Sequence, residues 1–93
     1  MSVKVKIPTQ LRQVAGGNSE LQFDDVTTLR ALIEKLREDY PSLTERILDE
    51  SGEIRRFINM YVGDEDVRFL QGLDTPLEEP GTVSILPAVA GGR

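Results

Sequence analysis

One long segment carries an apolar pattern with the period of a helix, and it limits the folds that this chain can adopt. The apolar residues that recur at helical spacing are Leu29, Leu32, Ile33, Leu36 and Tyr40. A side-chain oxygen of Thr27 or Thr28 can cap this helix, and Pro41 ends it because the residue before a proline disfavours helical geometry. A helix with one apolar face needs another layer to cover that face.

Strand patterns supply that layer on both sides of the helix. The segments that alternate or run as continuous apolar sequence between turn residues are 2–7, 21–23, 57–62, 67–69 and 83–86. Of these, residues 57–62 are almost continuously apolar, which is typical of a strand buried on both faces. Residues 43–48 add a helical turn, and the glycines and asparagine at 16–18 predict a turn.

This order of elements predicts an α+β fold. The simplest arrangement is a β-grasp domain with a mixed sheet of four to five strands packed on one main helix. The 93 residues fit one domain, which we assign to residues 1–87, and residues 88–93 are expected to form a flexible C-terminal tail that ends Gly-Gly-Arg.

Composition narrows the function. The chain contains no cysteine and no histidine, so thiol or imidazole catalysis and His or Cys metal ligation are excluded, and we expect no metal site. Asp64-Glu65-Asp66 has the spacing of a solvated turn rather than of a calcium loop.

A formal charge of −5 argues against nucleic acid as a partner. No run approaches the roughly 20 apolar residues of a membrane span, so we expect no membrane contact and a cytoplasmic location. Such a chain is more readily the substrate of enzymes than an enzyme.

The last residues contain a second glycine pair, Gly91-Gly92, which a turn does not explain. Pro87 has no amide donor, so the sheet ladder should end near it. The residues that follow it carry little side-chain bulk and are Ala88, Val89, Ala90, Gly91 and Gly92. Such a segment can thread a narrow channel and present a terminal carboxylate inside the active site of another protein. A frayed tail without function is the alternative.

The chemistry of a carboxylate suggests what such a tail can do. A carboxylate is a poor electrophile, and activation by ATP as an acyl adenylate corrects this. Sulfide transfer to the adenylate then leaves a thiocarboxylate, a sulfur nucleophile that requires no cysteine. Glycine suits the two residues that end such a tail, because any Cβ would crowd the adenylating site and hinder the later attack by the sulfur.

The tail residues 86–92, Leu-Pro-Ala-Val-Ala-Gly-Gly, resemble the C-terminus of the MoaD/ThiS-like sulfur carriers, which are ubiquitin-like proteins of β-grasp fold. The other segments that resemble this family are residues 56–62, 64–69, 72–73 and 81–87. Together with Ile7-Pro8-Thr9 and Leu11-Arg12, they are most similar to the actinobacterial CysO-type branch, which serves a cysteine synthase that uses O-phosphoserine.

The resemblance implies that Gly92 carries the thiocarboxylate and that the chain itself binds no cofactor. An E1-like adenylating and sulfurylating enzyme would form the thiocarboxylate with ATP. A pyridoxal-phosphate cysteine synthase would supply an aminoacrylate for the sulfur to attack. A metallohydrolase would then release cysteine from Gly92.

Arg93 departs from the family pattern, in which members mostly end at the second glycine. With Arg93 in place the carboxyl of Gly92 lies in a peptide bond and cannot be adenylated. We therefore expect Arg93 to be a removable cap that a peptidase cuts before use.

Four other functions fit the same residues. The chain could be the small subunit of a molybdopterin synthase or a carrier for thiolation, and it could be a ubiquitin-like modifier joined to lysines through Gly92. It could also be a structural module with an inert tail. For a carrier, we expect partners to meet an exposed apolar patch beside the last strand, with Phe69 or Leu70 as candidates.

Overall fold

The structure is a computed structural model that describes residues 2–87, and its elements follow one another along the chain as predicted in most places. The strands are β1 Val3–Lys6, β2 Glu20–Phe23, β3 Ile58–Val62, β4 Glu65–Asp66 and β5 Gly81–Pro87. The α-helices are α1 Leu29–Asp39 and α2 Pro41–Ile47, and short 3₁₀ segments cover Thr9–Ala15, Val67–Phe69 and Gly72–Asp74.

The strands form one mixed sheet in the order β2-β1-β5-β3-β4. The first two strands make an antiparallel pair, β1 and β5 are parallel, and β5 and β3 are antiparallel. β5 therefore occupies the centre of the sheet although it is the last strand along residues 2–87. This α+β arrangement, with the sheet laid over α1, confirms the predicted β-grasp fold.

The main helix forms as its sequence predicts. The Thr28 Oγ1 accepts a hydrogen bond from the Ala31 backbone N–H at 3.1 Å, which satisfies one of the unpaired amides of the first turn. The apolar residues of the stripe that are buried against the sheet are Leu29, Leu32, Ile33 and Leu36. Tyr40 ends α1, and Pro41 begins α2 at a position where a helix tolerates proline. In the described part of the chain, no helix is long and apolar enough to cross a membrane.

One face of the sheet packs on the helices. The side chains that point to this face and are almost inaccessible include Val3, Val5, Met60, Val83 and Ile85. The prediction that residues 57–62 are buried on both faces was wrong, because Ile58 and Met60 are buried whereas Phe57 is 59% exposed. Within residues 2–87 the helices cover a single face, so the strand alternates.

The predicted return strand at 67–69 was also wrong in place and type. Gly63, at φ 62°, begins a two-residue turn that pairs Val62 with Glu65, so the return strand β4 starts two residues earlier. The carboxylate of Asp66 then accepts a hydrogen bond from the Arg68 backbone N–H at 2.8 Å. This local bond favours a turn over a longer strand, and Val67–Phe69 forms a 3₁₀ segment.

The segment after β1 is a 3₁₀ helix over Thr9–Ala15. It buries Leu11 and Ala15 in the core, which supplies the reason for its regular structure. The predicted glycine turn follows at once, with Gly16 at φ 67° and Gly17 at φ 81°. The segment packs against α2.

Candidate functional site

The centre of interest is the end of β5, because the predicted site residues follow it. The pairing of β3 with β5 continues to the last residue of the strand, where Ile58 stands opposite Pro87. The preceding pair joins Asn59 to Leu86. The chain is thus held in a defined register up to the residue from which the predicted tail begins.

Of the predicted tail residues the structure describes only Pro87, which is partly buried and is the last residue of β5. The others, Ala88, Val89, Ala90, Gly91, Gly92 and Arg93, lie outside the described residues. The roles assigned to them, and the division of the chain at residue 87, remain predictions.

Exposed apolar side chains lie at this end of the sheet. Leu86 is 48% exposed, on the face of the sheet opposite the buried Ile85. Phe57 immediately precedes the residue that pairs with Pro87 and is 59% exposed. Sequence reasoning singled out neither residue, because Phe57 stood in the run interpreted as a strand buried on both faces and Leu86 was assigned only to the last strand. The signal that could have identified Leu86 as exposed is the alternation of a strand, in which neighbours such as Ile85 and Leu86 point to opposite faces.

The structure exposes both of the residues that were predicted to contribute to a docking patch. Phe69 is 86% exposed, and Leu70 is 38% exposed. Leu70 lines a cavity of about 540 Å³ together with Gly81 and Thr82, which begin β5. Leu70 therefore lies beside the start of β5, at the end of that strand away from Pro87, and both residues stay candidates for the predicted patch.

An arginine that the sequence did not single out as functional holds the start of β3 next to this site. The guanidinium of Arg68 donates to Asn59 Oδ1 at 2.6 Å, to the Ile58 carbonyl at 2.6 Å and to the Arg55 carbonyl at 3.0 Å. Two of these acceptors belong to residues that pair with the last two residues of β5. The arginine thus supports the strand that neighbours the exit of the tail.

A groove of about 490 Å³ lies on the other side of the same exit. Its walls include Leu86 and Pro87 from β5, and Lys6 and Arg12 from the end of β1 and the 3₁₀ helix that follows. Among the described residues that line it there is no carboxylate.

Carboxylates elsewhere do not form a metal centre in the part of the chain that the structure covers. No group of three or more carboxylate, histidine or cysteine side chains is placed there to share an ion. In the run predicted as a solvated turn, Glu65 and Asp66 belong to β4. The Asp66 carboxylate is engaged with the backbone of Arg68.

Comparison with known proteins identifies the class to which this fold and this exit belong. A model of the ThiS family matches residues 5–92. The chain belongs to the ThiS family, as its resemblance to MoaD/ThiS-like carriers predicted. The matched range begins within β1, covers the rest of the β-grasp body and reaches the second glycine of the tail.

Individual relatives indicate which proteins of this class the chain resembles. The chain is 47% identical over 94 residues to the sulfur carrier protein CysO of Mycobacterium tuberculosis, across 99% of this chain and 100% of that protein. It is similar to a chain of the crystal structure of the Amycolatopsis orientalis BexX/CysO complex, with TM-score 0.86 and 40% identity over 97% of this chain and 99% of that one. It is also 30% identical over 93 residues to small archaeal modifier protein 3 of Haloferax volcanii, across 99% and 100% of the two chains.

Proposed function

We propose that this chain is a sulfur carrier that donates sulfur for cysteine biosynthesis. The observation that carries the proposal is the 47% identity to CysO over 100% of that protein's length, which supports a sulfur carrier role. The chain then acts as a protein co-substrate of its partner enzymes. Its folded body, residues 2–87, is the handle that those enzymes bind.

The reactive group in this proposal is the carboxyl of Gly92 once it is the last residue. A peptidase first removes Arg93, an E1-like enzyme then joins the carboxylate to AMP from ATP, and pyrophosphate leaves. Sulfide displaces AMP and gives the thiocarboxylate. In the next partner, a pyridoxal-phosphate cysteine synthase, the sulfur attacks the acceptor, and a metallohydrolase releases the amino acid. ATP, pyridoxal phosphate and metal all belong to the partners.

The exposed apolar residues around Pro87 fit this proposal. Leu86 and Phe57 offer water-exposed apolar area on a small acidic protein, and such area is typical of a docking surface. A partner that binds there holds the end of β5, and the short segment to Gly92 then enters its active site. The BexX/CysO complex shows that a protein of this kind is found with a partner, and we extend that association to this chain.

The test compares two forms of the protein with the E1-like enzyme of the same organism, ATP and sulfide. The full chain and a form lacking Arg93 are incubated separately, and intact masses are measured. We expect a thiocarboxylate only on the form that ends at Gly92. A matched Gly92→Ala variant of that form should react poorly, because its Cβ crowds the adenylating site. Equal reaction of the full chain without trimming would overturn the role of Arg93 as a cap.

A second candidate is a ubiquitin-like modifier joined to lysines through Gly92, which the similarity to the archaeal modifier favours. Both functions begin with the same adenylate and separate at the acceptor. Isopeptide adducts between Gly92 and lysines of other proteins in the native host would support the modifier. Thiocarboxylate without such adducts supports the carrier.

A further inference from the structure

The groove beside Pro87 differs in charge from the rest of this acidic protein. β1 ends at Lys6, which stands opposite Ser84 in the parallel pairing, while β5 continues for three more residues. The chain after β1 turns away at Pro8 into the 3₁₀ helix that carries Arg12. The space left between this turn and the end of β5 is the groove, and two cations line it.

The guanidinium of Arg12 is held in place by a bond to its own segment. Its Nε donates to the Ile7 carbonyl at 3.2 Å, and the side chain is partly buried. The two terminal nitrogens of Arg12 have no acceptor, and neither Arg12 nor Lys6 has an ion pair, among residues 2–87. Because the side chain is already ordered, little entropy is lost when the free edge of the guanidinium binds a planar anion.

The position of the groove connects it to the tail. Leu86 and Pro87 form one of its walls, so a partner that binds the end of β5 on this side lies beside Lys6 and Arg12. An acidic side chain on that partner would meet two cations and no carboxylate of the groove. Leu86 offers apolar contact next to the charges.

We propose that this groove is a docking site for an aspartate or glutamate side chain, flanked by an apolar residue, on the adenylating partner. The carboxylate pairs with Arg12 and Lys6 and fixes the carrier's orientation as the tail enters the active site. This inference rests on the proposed function, since it concerns the enzyme that activates Gly92. It also assigns a role to the residues Ile7 to Arg12, which the proposed chemistry leaves without one.

The test uses the form that ends at Gly92, with the E1-like enzyme of the same organism, and follows pyrophosphate exchange into ATP. We expect Lys6→Glu and Arg12→Gln each to raise the KM for the carrier by about tenfold with little change in kcat, since the pair positions the carrier and does no chemistry. Arg12→Lys keeps the charge, loses the planar edge and should fall between Arg12→Gln and the unmodified protein.

The matched control is Lys4→Glu. Lys4 lies two residues before Lys6 on the same face of β1 and does not line the groove. This variant makes the same charge change and should leave KM within about twofold of the unmodified protein, because exposed charges outside an interface contribute little. Added salt should raise KM for the unmodified protein more than for Arg12→Gln.

The outcomes separate this proposal from the one on which it rests. If the unmodified form is activated and Lys6→Glu and Arg12→Gln behave like Lys4→Glu, the groove has no docking role and the carrier function stands. If the unmodified form is never activated, the carrier function and the groove's role both fail. Nuclear Overhauser contacts between Arg12 and residues 88–93 in the isolated full chain would assign the groove to the chain's own tail and would also overturn the proposal.

Discussion

At the residue scale, Arg68 shows how a charged side chain on the surface can order the backbone of a neighbouring segment. Its guanidinium joins Arg55, Ile58 and Asn59, which lead into or begin β3. These acceptors are two backbone carbonyls and one side-chain amide oxygen, so a lysine, which has no planar fork, could not bond all of them in this geometry.

We therefore predict that Arg68→Ala lowers the free energy of unfolding by about 1–2 kcal/mol, since charge-assisted hydrogen bonds are lost at a partly exposed site. Urea denaturation measures this change. Arg37→Ala is the control, because Arg37 makes an exposed ion pair with Glu34 at 3.3 Å that should contribute roughly 0–0.5 kcal/mol. Equal losses in the two variants would show that the bonds of Arg68 have no special effect.

Asp49 is a second residue whose local bonds have a measurable consequence. The hydroxyl of Ser51 donates to its carboxylate at 2.6 Å, and this bond, followed by the bond from the Glu53 backbone N–H, lowers the pKa of Asp49 below its ordinary value of 3.8. The folded pKa is lower than the unfolded one. Ionised Asp49 therefore stabilises the fold above the ordinary pKa, and this contribution is lost as pH falls through the lowered value.

Ser51→Ala removes the main cause of this shift, so we predict that the pKa of Asp49 rises toward its ordinary value. Carboxyl ¹³C NMR titration follows Asp49 directly. Ser42→Ala, on α2, should leave the titration of Asp49 unchanged. A pKa of Asp49 that stays low in Ser51→Ala would mean that the backbone bonds alone hold it there.

At the scale of elements, β5 combines a structural face and an exposed face in adjacent residues. Ile85 is 1% exposed in the core, whereas Leu86 is 48% exposed beside the tail. Ile85→Ala should cost about 2–5 kcal/mol of stability because it leaves a cavity, and Leu86→Ala should cost less than about 1 kcal/mol.

The same pair of variants separates folding from partner binding. Leu86→Ala should raise the KM of the adenylating enzyme for the carrier although the protein remains folded, whereas Ile85→Ala should act through its lower stability. Thermal unfolding and pyrophosphate exchange, measured on each variant, make the distinction. An unchanged KM for Leu86→Ala would remove Leu86 from the docking surface.

The elements that sequence alone predicted are those whose pattern is long or whose signal is local. The helical stripe and the cap at Thr28 located α1, and Gly16 and Gly17 located a turn, because these signals depend on neighbours in sequence. The return strand was misplaced because Val67 is buried at the start of a 3₁₀ segment, and its apolar character resembled that of a strand.

The candidate site was predictable only in part. The glycine pair and Pro87 were visible as sequence, and the family resemblance assigned them a chemistry that the comparisons support as far as a sulfur carrier. Neither the groove nor the hydrogen bonds of Arg68 could be predicted from the sequence. Arg12 comes near β5, and Arg68 near β3, only in the folded sheet, which brings together residues that are distant in sequence. The exposure of the docking residues was not predictable for the same reason, because it depends on which face of the sheet the helices leave uncovered.

At the scale of the whole molecule, the fold brings several features to the end of the sheet where β5 finishes. Exposed apolar side chains, the groove with its two cations, and the strand that Arg68 supports all adjoin Leu86 or Pro87. Leu86 lies on the face of the sheet opposite the core, so a partner can contact it there without disturbing the packing. This arrangement is what a protein co-substrate requires.

The most direct measurement of the central claim is the intact mass of the protein isolated from its native host, while its sulfur pathway is active. We predict a population that has lost Arg93 and has gained the mass difference between sulfur and oxygen, with fragmentation assigning the sulfur to Gly92. Material that always retains an unmodified carboxyl at its C-terminus, when the activating enzyme is abundant, would contradict the claim that this chain carries sulfur.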